Sequence, residues 1–303
     1  MSRNYSFRVP AGTSNLGAGF DALGLALEIY LRVRIELSSK TEIVALGVDA
    51  AEIPTNADNL ILRVANRVAV QRNRELPPFR MTIANEIPLA RGLGSSASAI
   101  IAGITCYELL AQDRLAEAEI FRYAFEFESH PDNLSPALRG GLVAACRGAD
   151  SEVFIANLSV APGVKCVIVI PEFEVSTEKA RAVLPKMYSR QDAVYNIQRS
   201  ALTIGALTTG NWPLLREAMS DRIHQPYRAS LIPGFEEILA LRTPGMYGVA
   251  LSGAGPTMFA LAEPAKADAV GWEITEVFEK HGVKALPHVA NIDTEGRVIG
   301  GTP

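Results

Sequence analysis

Cysteine is scarce in this chain. Cys106, Cys146 and Cys166 stand far apart among apolar neighbours. That excludes a disulfide framework and reads as buried small hydrophobes in a reducing compartment. The four histidines (His130, His224, His281, His288) show no paired metal-ligand spacing, so no zinc site is expected. An excess of positive charge is also missing: 29 Lys and Arg face 33 Asp and Glu, a net charge of −4. No global basic field gathers a phosphate backbone, so no nucleic-acid partner is expected, although a pocket for a small anion needs only a few cations. The longest apolar stretch, Ala97 to Tyr107, is broken by Ser98, Gly103 and Thr105 and is too short for a bilayer. Met1 to Phe7 lack the apolar core of a secretion signal. The expectation is a cytoplasmic protein without a membrane partner.

What is present is ordinary globular material: 303 residues, 48% hydrophobic and 20% charged, enough for two domains without a metal or disulfide staple. Residues 27–37 alternate, with Leu27, Ile29, Leu31, Val33, Ile35 and Leu37 on one side, as in a half-buried antiparallel strand. Asp58 is placed to cap a helix reaching about Asn73, with Ile61, Ala65, Val68 and Ala69 on its inner face. A strand at 79–84 and helices at 95–111 and 115–127 follow, then strands near 142–146, 152–156 and 165–170. Beyond Pro171 the pattern predicts helices at 177–184, 190–209, 212–223, 235–241 and 264–281, with strands at 246–251 and 283–292. Without a regular βαβ rhythm, the class is α+β. Turn residues around 147–165 put the boundary between a first domain, 1–155, and a second, 156–303.

The most informative stretch is Pro88, Leu89, Ala90, Arg91, Gly92, Leu93, Gly94, Ser95, Ser96, Ala97 and Ser98, at the start of a helical segment. Two glycines let backbone N–H groups approach a bulky anion, and the helix beginning at Ser95 adds unpaired amides and a positive dipole end. It is not a Walker A loop, because no Lys-Ser/Thr pair follows the last glycine. A dinucleotide fingerprint would need a turn directly off a strand, and Glu86 to Arg91 intervene. A plain glycine turn with a serine cap is the bland alternative. Two further loops, Pro10 to Asp21 and Leu251 to Thr257, are rich in glycine and small polar residues. Glu128, Ser129, His130, Pro131, Asp132 and Asn133 end a helix in a burst of ionisable groups.

Taken together, these segments resemble the GHMP kinases, the family of galactokinase, homoserine kinase, mevalonate kinase and phosphomevalonate kinase, and within it the homoserine kinase branch. Pro10 to Asp21 is similar to that branch's opening motif, Pro88 to Ser98 to the family's ATP loop, and His130 to Leu138 with Gly140 and Gly141 to its second segment. Pro226, Tyr227 and Arg228, followed by Leu231 to Gly234, and then Ser252 to Pro256 complete the set in family order. Gly12, Thr13, Ser14 and Ala18 depart from the usual first motif, and His224 and Gln225 precede Pro226 where an acid is frequent.

The resemblance implies a two-domain fold, with an N-terminal half like domain 2 of ribosomal protein S5 and a ferredoxin-like C-terminal half. It implies ATP and Mg²⁺ as cofactors, L-homoserine as substrate, phosphorylation of the homoserine hydroxyl within threonine biosynthesis, and a homodimer. By the same resemblance Gly92 to Ser96 hold the triphosphate, and Pro88, Arg91, Ala97 and Ser98 complete the nucleotide loop. Ser96 and Glu128 bind the metal, with Glu126 as the alternative carboxylate, since two residues apart on a helix only one can enter the site. A zwitterion needs a guanidinium for its carboxylate and an acid for its ammonium: Arg228 and Arg199 are expected at one pole, Asp21 at the other. Asn15 and Asn133 orient the hydroxyl, and His130 and Gly253 line the pocket. Asp132 is not expected in the same pocket as its neighbour Asn133, so the hydroxyl proton passes to phosphate without a dedicated base. The alternatives are a kinase for a mevalonate-type alcohol and a catalytically silent nucleotide-binding protein of the same fold.

Overall fold

The computed structural model describes residues 4–148 and 152–300. Strands β1 (Asn4–Ser14), β2 (Leu23–Leu37), β3 (Glu42–Gly47), β4 (Phe79–Asn85), β5 (Leu142–Arg147) and β6 (Val153–Leu158) build most of a first sheet. Helices α1 (Leu60–Gln71), α2 (Ser95–Ala111), α3 (Glu117–Ala124) and α4 (Pro131–Arg139) lie between them in sequence. The second half runs β7 (Lys165–Pro171), α5 (Thr177–Ala182), α6 (Arg190–Thr209), α7 (Leu215–Ala218), α8 (Gln225–Arg228), α9 (Phe235–Ala240), β8 (Met246–Leu251), β9 (Met258–Ala262), α10 (Ala267–Lys280) and β10 (Ala285–Ala290). A last short strand, β11 (Val298–Ile299), returns to the first sheet beside β1.

The alternation along β2 does set its inner face: Leu27, Ile29, Leu31, Val33 and Ile35 are buried, while Leu37 at the strand end is exposed. Val33 faces Phe7 of β1 on one side and Ile83 of β4 on the other. The β1–β2 register slips between Pro10 and Ala11, a bulge at a residue with no N–H to give to the ladder. Helix α2 is buried almost all round, with Ile100, Ile101, Ile104, Cys106 and Tyr107 in the core. Gly24 of β2 lets α4 close in, because a Cβ there would lie 1.9 Å from the Asp132 carbonyl oxygen.

In the second sheet the order is β10-β7-β9-β8, antiparallel throughout. With helices after its first and third strands, this is the ferredoxin-like arrangement. Val270, Ile274, Val277 and Phe278 of α10 cover one face. On the other face, Cys166, Ile168, Phe259 and Leu261 join the core of the first sheet, so one apolar mass ties the halves together.

Several expectations shift. The cap of α1 is Asn59, whose Oδ1 accepts from the Leu62 N–H at 3.2 Å, rather than Asp58. The helix expected to reach 127 stops at Ala124, and a new helix starts at Pro131, its signal hidden by an internal Pro136. Strands β1, β3 and β9 stand where no strand is expected, and the helix expected over 212–223 ends at Ala218. Cys146 is exposed at the end of β5, unlike Cys106 and Cys166. A division at 155/156 falls inside β6, which pairs along its length with β5.

Candidate active site

The three glycine loops meet. Gly12 N–H donates to the Leu93 carbonyl at 3.1 Å, Gly253 N–H to the Ser14 carbonyl at 3.2 Å and Thr257 N–H to the Arg91 carbonyl at 3.3 Å. Ser252 Oγ donates to the Gly92 carbonyl at 2.6 Å. Gly92 has φ +78°, and a Cβ there would stand 2.3 Å from the Ser252 carbonyl oxygen. Gly92→Ala is therefore expected to lower Tm and to raise KM for ATP about tenfold, the effect of roughly 1.4 kcal/mol of loop strain. An unchanged Tm and ATP KM would show that the two loops need not touch.

A cavity of about 350 Å³ opens between these loops and the start of α4. Gly92, Gly94, Ser95, Ser96 and Ala97 line one side, with Ser95 starting α2 and leaving its first amides for a ligand. Three expected members of the nucleotide loop have other work. Leu93 is in the core, and Ser98 is fully buried, donating to the Pro10 carbonyl at 2.8 Å. Arg91 donates to the Pro171 and Glu172 carbonyls and pairs with Glu174, tethering the two halves. Pro88 does not line the cavity. Next to Ser95 and Ser96 a second, apolar cavity of about 230 Å³ is walled by Leu31, Ile53, Leu60, Ile61, Ile83 and Leu89. Sequence reasoning missed it, since its residues come from five separate segments that read only as core.

Opposite the loop stand Glu128, His130, Asp132 and Asn133. Glu128 Oε1 accepts from His130 Nδ1 at 3.0 Å and from the His130 N–H at 3.3 Å. Burial pushes its pKa up, but the His130 contacts outweigh that and hold it below the usual carboxylate range. Glu126 points elsewhere, bound by Arg67 and Gln71 at 2.6 Å each. Both carboxylates lie past the end of α3, so it is the turn, not a helical face, that separates them. Asp132, contrary to expectation, shares the cavity with Asn133, whose Nδ2 lies 3.4 Å from its Oδ1. The first turn of α4 lets both side chains face the loops.

Asp132 is 1% exposed, and burial, reinforced by the charge of Asp21, raises its pKa to about 7. A carboxylate raised in the fold binds more protons folded than unfolded between about pH 4 and pH 7. Stability is therefore lost as pH rises through that window, and the penalty is complete above it. Asp132→Asn removes a cost on the order of 4 kcal/mol at pH 8 and almost none at pH 4. The variant's Tm advantage over the parent should grow from pH 4 to pH 8; a gap independent of pH would contradict this.

The charged poles lie at the other end. Asp21, at φ +56°, gives its N–H to Asn15 Oδ1 at 3.0 Å, while Asn15 Nδ2 donates to the Gly253 carbonyl at 3.0 Å. Asn15 thus fastens two loops. His130 Nε2 stands 3.8 Å from Asp21. Arg181 of α5 grips Asp21 with both terminal nitrogens, at 2.7 and 3.3 Å. Its buried Nε has no protein partner. Arg228 is 2% exposed, with Nε on the Ala180 carbonyl and Nη1 on the Gly253 carbonyl. Burial, together with the Arg181 charge, brings its pKa down to about 10. Its Nη1 also donates to His224 Nδ1 at 3.1 Å, so His224 carries its proton on Nε2, 2.8 Å from the Gly17 carbonyl. Phe20 stacks on that imidazole.

Arg199 does not line this cavity. On α6 it lies over Tyr195 and pairs with Glu217, while Asn196 is the residue of that turn that reaches the Ala18 carbonyl. The guanidinium that lines the cavity beside Arg228 is that of Arg181. An Arg ten residues after Pro171 on a six-residue helix carries no motif, so only the fold finds it.

The donor set suits Mg²⁺. Ser96 and Glu128 offer a hydroxyl and a carboxylate in one cavity, leaving other positions to phosphate and water. Among the described residues no group of three or more His, Cys, Asp or Glu could hold a metal ion. No helix among them is long and apolar enough to cross a membrane.

The family model for the GHMP kinases N terminal domain matches residues 59–141, and that for GHMP kinases C terminal matches 203–280. A homoserine kinase of Solibacter usitatus is 45% identical over 86% of this chain and 85% of its own. That of a Picosynechococcus species is 40% identical over 96% and 98%. The crystal structure of homoserine kinase from Cytophaga hutchinsonii superposes with a TM-score of 0.85 at 28% identity, covering 98% of this chain and 97% of that one. A Lactococcus lactis galactokinase shares the fold alone, at 16% identity and a TM-score of 0.71 over 98% and 95% of the two chains. With its loops in family order and such identity over nearly its full length, this chain belongs to the homoserine kinase branch of the GHMP kinases.

Proposed function

We propose that this protein transfers the γ-phosphoryl group of ATP to the side-chain hydroxyl of L-homoserine, giving O-phospho-L-homoserine in threonine biosynthesis. The observation that carries the reading is the juxtaposition, in one cavity, of an anion-binding loop with an acid and two guanidiniums. The adenine base fits the apolar cavity beside Ser95 and Ser96. The triphosphate then follows Gly92 to Ser96 into the polar cavity. Mg²⁺, held by Ser96 and Glu128, neutralises phosphate charge when bound.

Homoserine enters between the poles. Its carboxylate meets Arg181 and also Arg228, which burial and the neighbouring Arg181 charge leave short of an anion. Its ammonium meets Asp21, and the repulsion between Asp21 and Asp132 is relieved by a cation placed near both. Arg181 and Asp21 are paired with each other, so binding exchanges an internal ion pair for two pairs with substrate. Asn133 faces Gly94 across the cavity, a Cβ on that glycine lying 3.6 Å from its Oδ1, and is placed to orient the hydroxyl. With Asp132 engaged near the ammonium, the hydroxyl proton leaves on phosphate. A phosphoryl transfer of this kind depends mainly on positioning and charge neutralisation.

The test is an acceptor panel of homoserine, serine, threonine, mevalonate and shikimate, read by ³¹P NMR. Homoserine should be the best acceptor and mevalonate inert; transfer to mevalonate at a comparable rate would favour the alcohol-kinase alternative. ADP formation with none of them would favour the silent nucleotide binder. A cytoplasmic location and a homodimer complete the proposal on the family resemblance alone, and sedimentation velocity checks the latter.

A further inference from the structure

Helix α8 is a wall of two cavities. Arg228 faces the active one, while Gln225 and Pro226 line a separate cavity of about 310 Å³. That volume is at the small end of ligand sites. One side of it is apolar, with Met219, Phe235, Leu239 and Met246, and its polar lining carries one guanidinium, Arg216. Arg216 donates one hydrogen bond, Nη1 to the Leu241 carbonyl at 2.9 Å, and makes no ion pair among the described residues. Burial, with the charge of Arg242 nearby, holds its pKa below the ordinary value. Asp221, at the edge of this cavity, is already spent: its carboxylate accepts from the Ile223, His224 and Gln225 N–H groups and from Asn196. Glu236 stands exposed at the rim. An arginine short of an anion above apolar walls suits a carboxylate on a small branched hydrocarbon body.

The same walls hold the substrate end of the active site. Gly17, in the loop that carries Asn15 and Asp21, lies so close to Met219 that a Cβ would be 2.0 Å from the Met219 carbonyl oxygen. Gln225 Oε1 accepts from the Leu251 N–H at 2.8 Å, at the root of the loop that holds Gly253. One turn on, Arg228 holds the Gly253 carbonyl at 3.0 Å. Anything that shifts Met219 or α8 shifts both poles of the clamp directly, and reaches the nucleotide loop only at second hand, through the contacts of Ser252 and Thr257 to Gly92 and Arg91.

We propose that this second cavity is an effector site for a small carboxylate with an apolar body, whose binding displaces α8 and Met219 and weakens homoserine binding. The probe is isovalerate, with isovaleramide as its uncharged isostere. Calorimetry is run with homoserine and a non-hydrolysable ATP analogue filling the active site, and steady-state kinetics alongside. The expected results are saturable millimolar binding of isovalerate, much weaker binding of the amide, and a rise in homoserine KM of about fivefold or more with a smaller change in ATP KM. By reciprocity, saturating homoserine must weaken isovalerate by the same factor. Arg216→Gln should abolish isovalerate binding while homoserine KM without isovalerate stays within about twofold of the parent. Leu239→Trp, which fills the cavity instead, should block binding as well. No saturable binding up to about 50 mM, equal binding of the amide, or binding that survives in both variants overturns the proposal.

Discussion

Glu128→Gln is expected to lower kcat at least about a hundredfold, the scale of one lost electrostatic stabiliser, with homoserine KM changed only a few-fold. The variant keeps an oxygen for the His130 contacts, so the turn between α3 and α4 has no reason to move. What it loses is the negative charge that His130 keeps ionised inside a half-buried site. A hard divalent ion prefers an anionic oxygen to an amide one, so the Mg²⁺ concentration needed for half-maximal rate should rise as well. Glu126→Gln is the control. Its carboxylate is committed to Arg67 and Gln71 outside the cavity, and kcat should stay near that of the parent. Initial rates for both variants at saturating ATP and homoserine decide the matter. A normal kcat for Glu128→Gln with a crippled Glu126→Gln would exchange their roles.

Arg228→Lys is expected to act on the other substrate, raising homoserine KM roughly a hundredfold, about 3 kcal/mol, while ATP KM stays within a few-fold. The substrate carboxylate is unchanged by the reaction, so contacts to it are uniform binding and appear chiefly in KM. Lysine keeps the charge but cannot hold the Ala180 and Gly253 carbonyls and still present a nitrogen to the cavity, because it lacks the rigid fork. His224 then loses the donor to its Nδ1. Titrating homoserine and ATP separately against the variant separates the two ends of the site. Equal losses for both ligands would mean that the third loop had collapsed, and no loss for homoserine would remove Arg228 from the clamp.

The parts of the site written as contiguous motifs could be read from the sequence. Gly92 to Ser96, Glu128 to Asn133, and Asn15 to Asp21 each carry their geometry locally, through glycine φ values, a helix start or a helix turn. Side chains that reach the site from unremarkable surroundings could not be read. Arg181 has no flanking signature, and Arg199, which looked equivalent, lies on α6 with its guanidinium over Tyr195. Asp132 was set aside because neighbours on a chain usually diverge, but the opening turn of α4 turns both it and Asn133 toward the loops. Arg91 and Ser98 sit inside a nucleotide motif but serve its scaffold, a distinction that depends on what stands across from them. For the fold, long alternation in β2 and the apolar length of α2 were decisive. Short buried strands such as β9 leave no period to read.

The account stands on recognition of a zwitterion by two opposed poles next to an ATP loop. It is tested most directly by comparing kcat/KM for homoserine with those for 4-hydroxybutanoate, which lacks the ammonium, and 3-aminopropan-1-ol, which lacks the carboxylate. Each truncated alcohol leaves a charged partner unpaired in a buried site, so each should fall at least about a hundredfold below homoserine. Either one within a few-fold of homoserine would contradict the clamp and the assignment of Asp21, Arg181 and Arg228 to it.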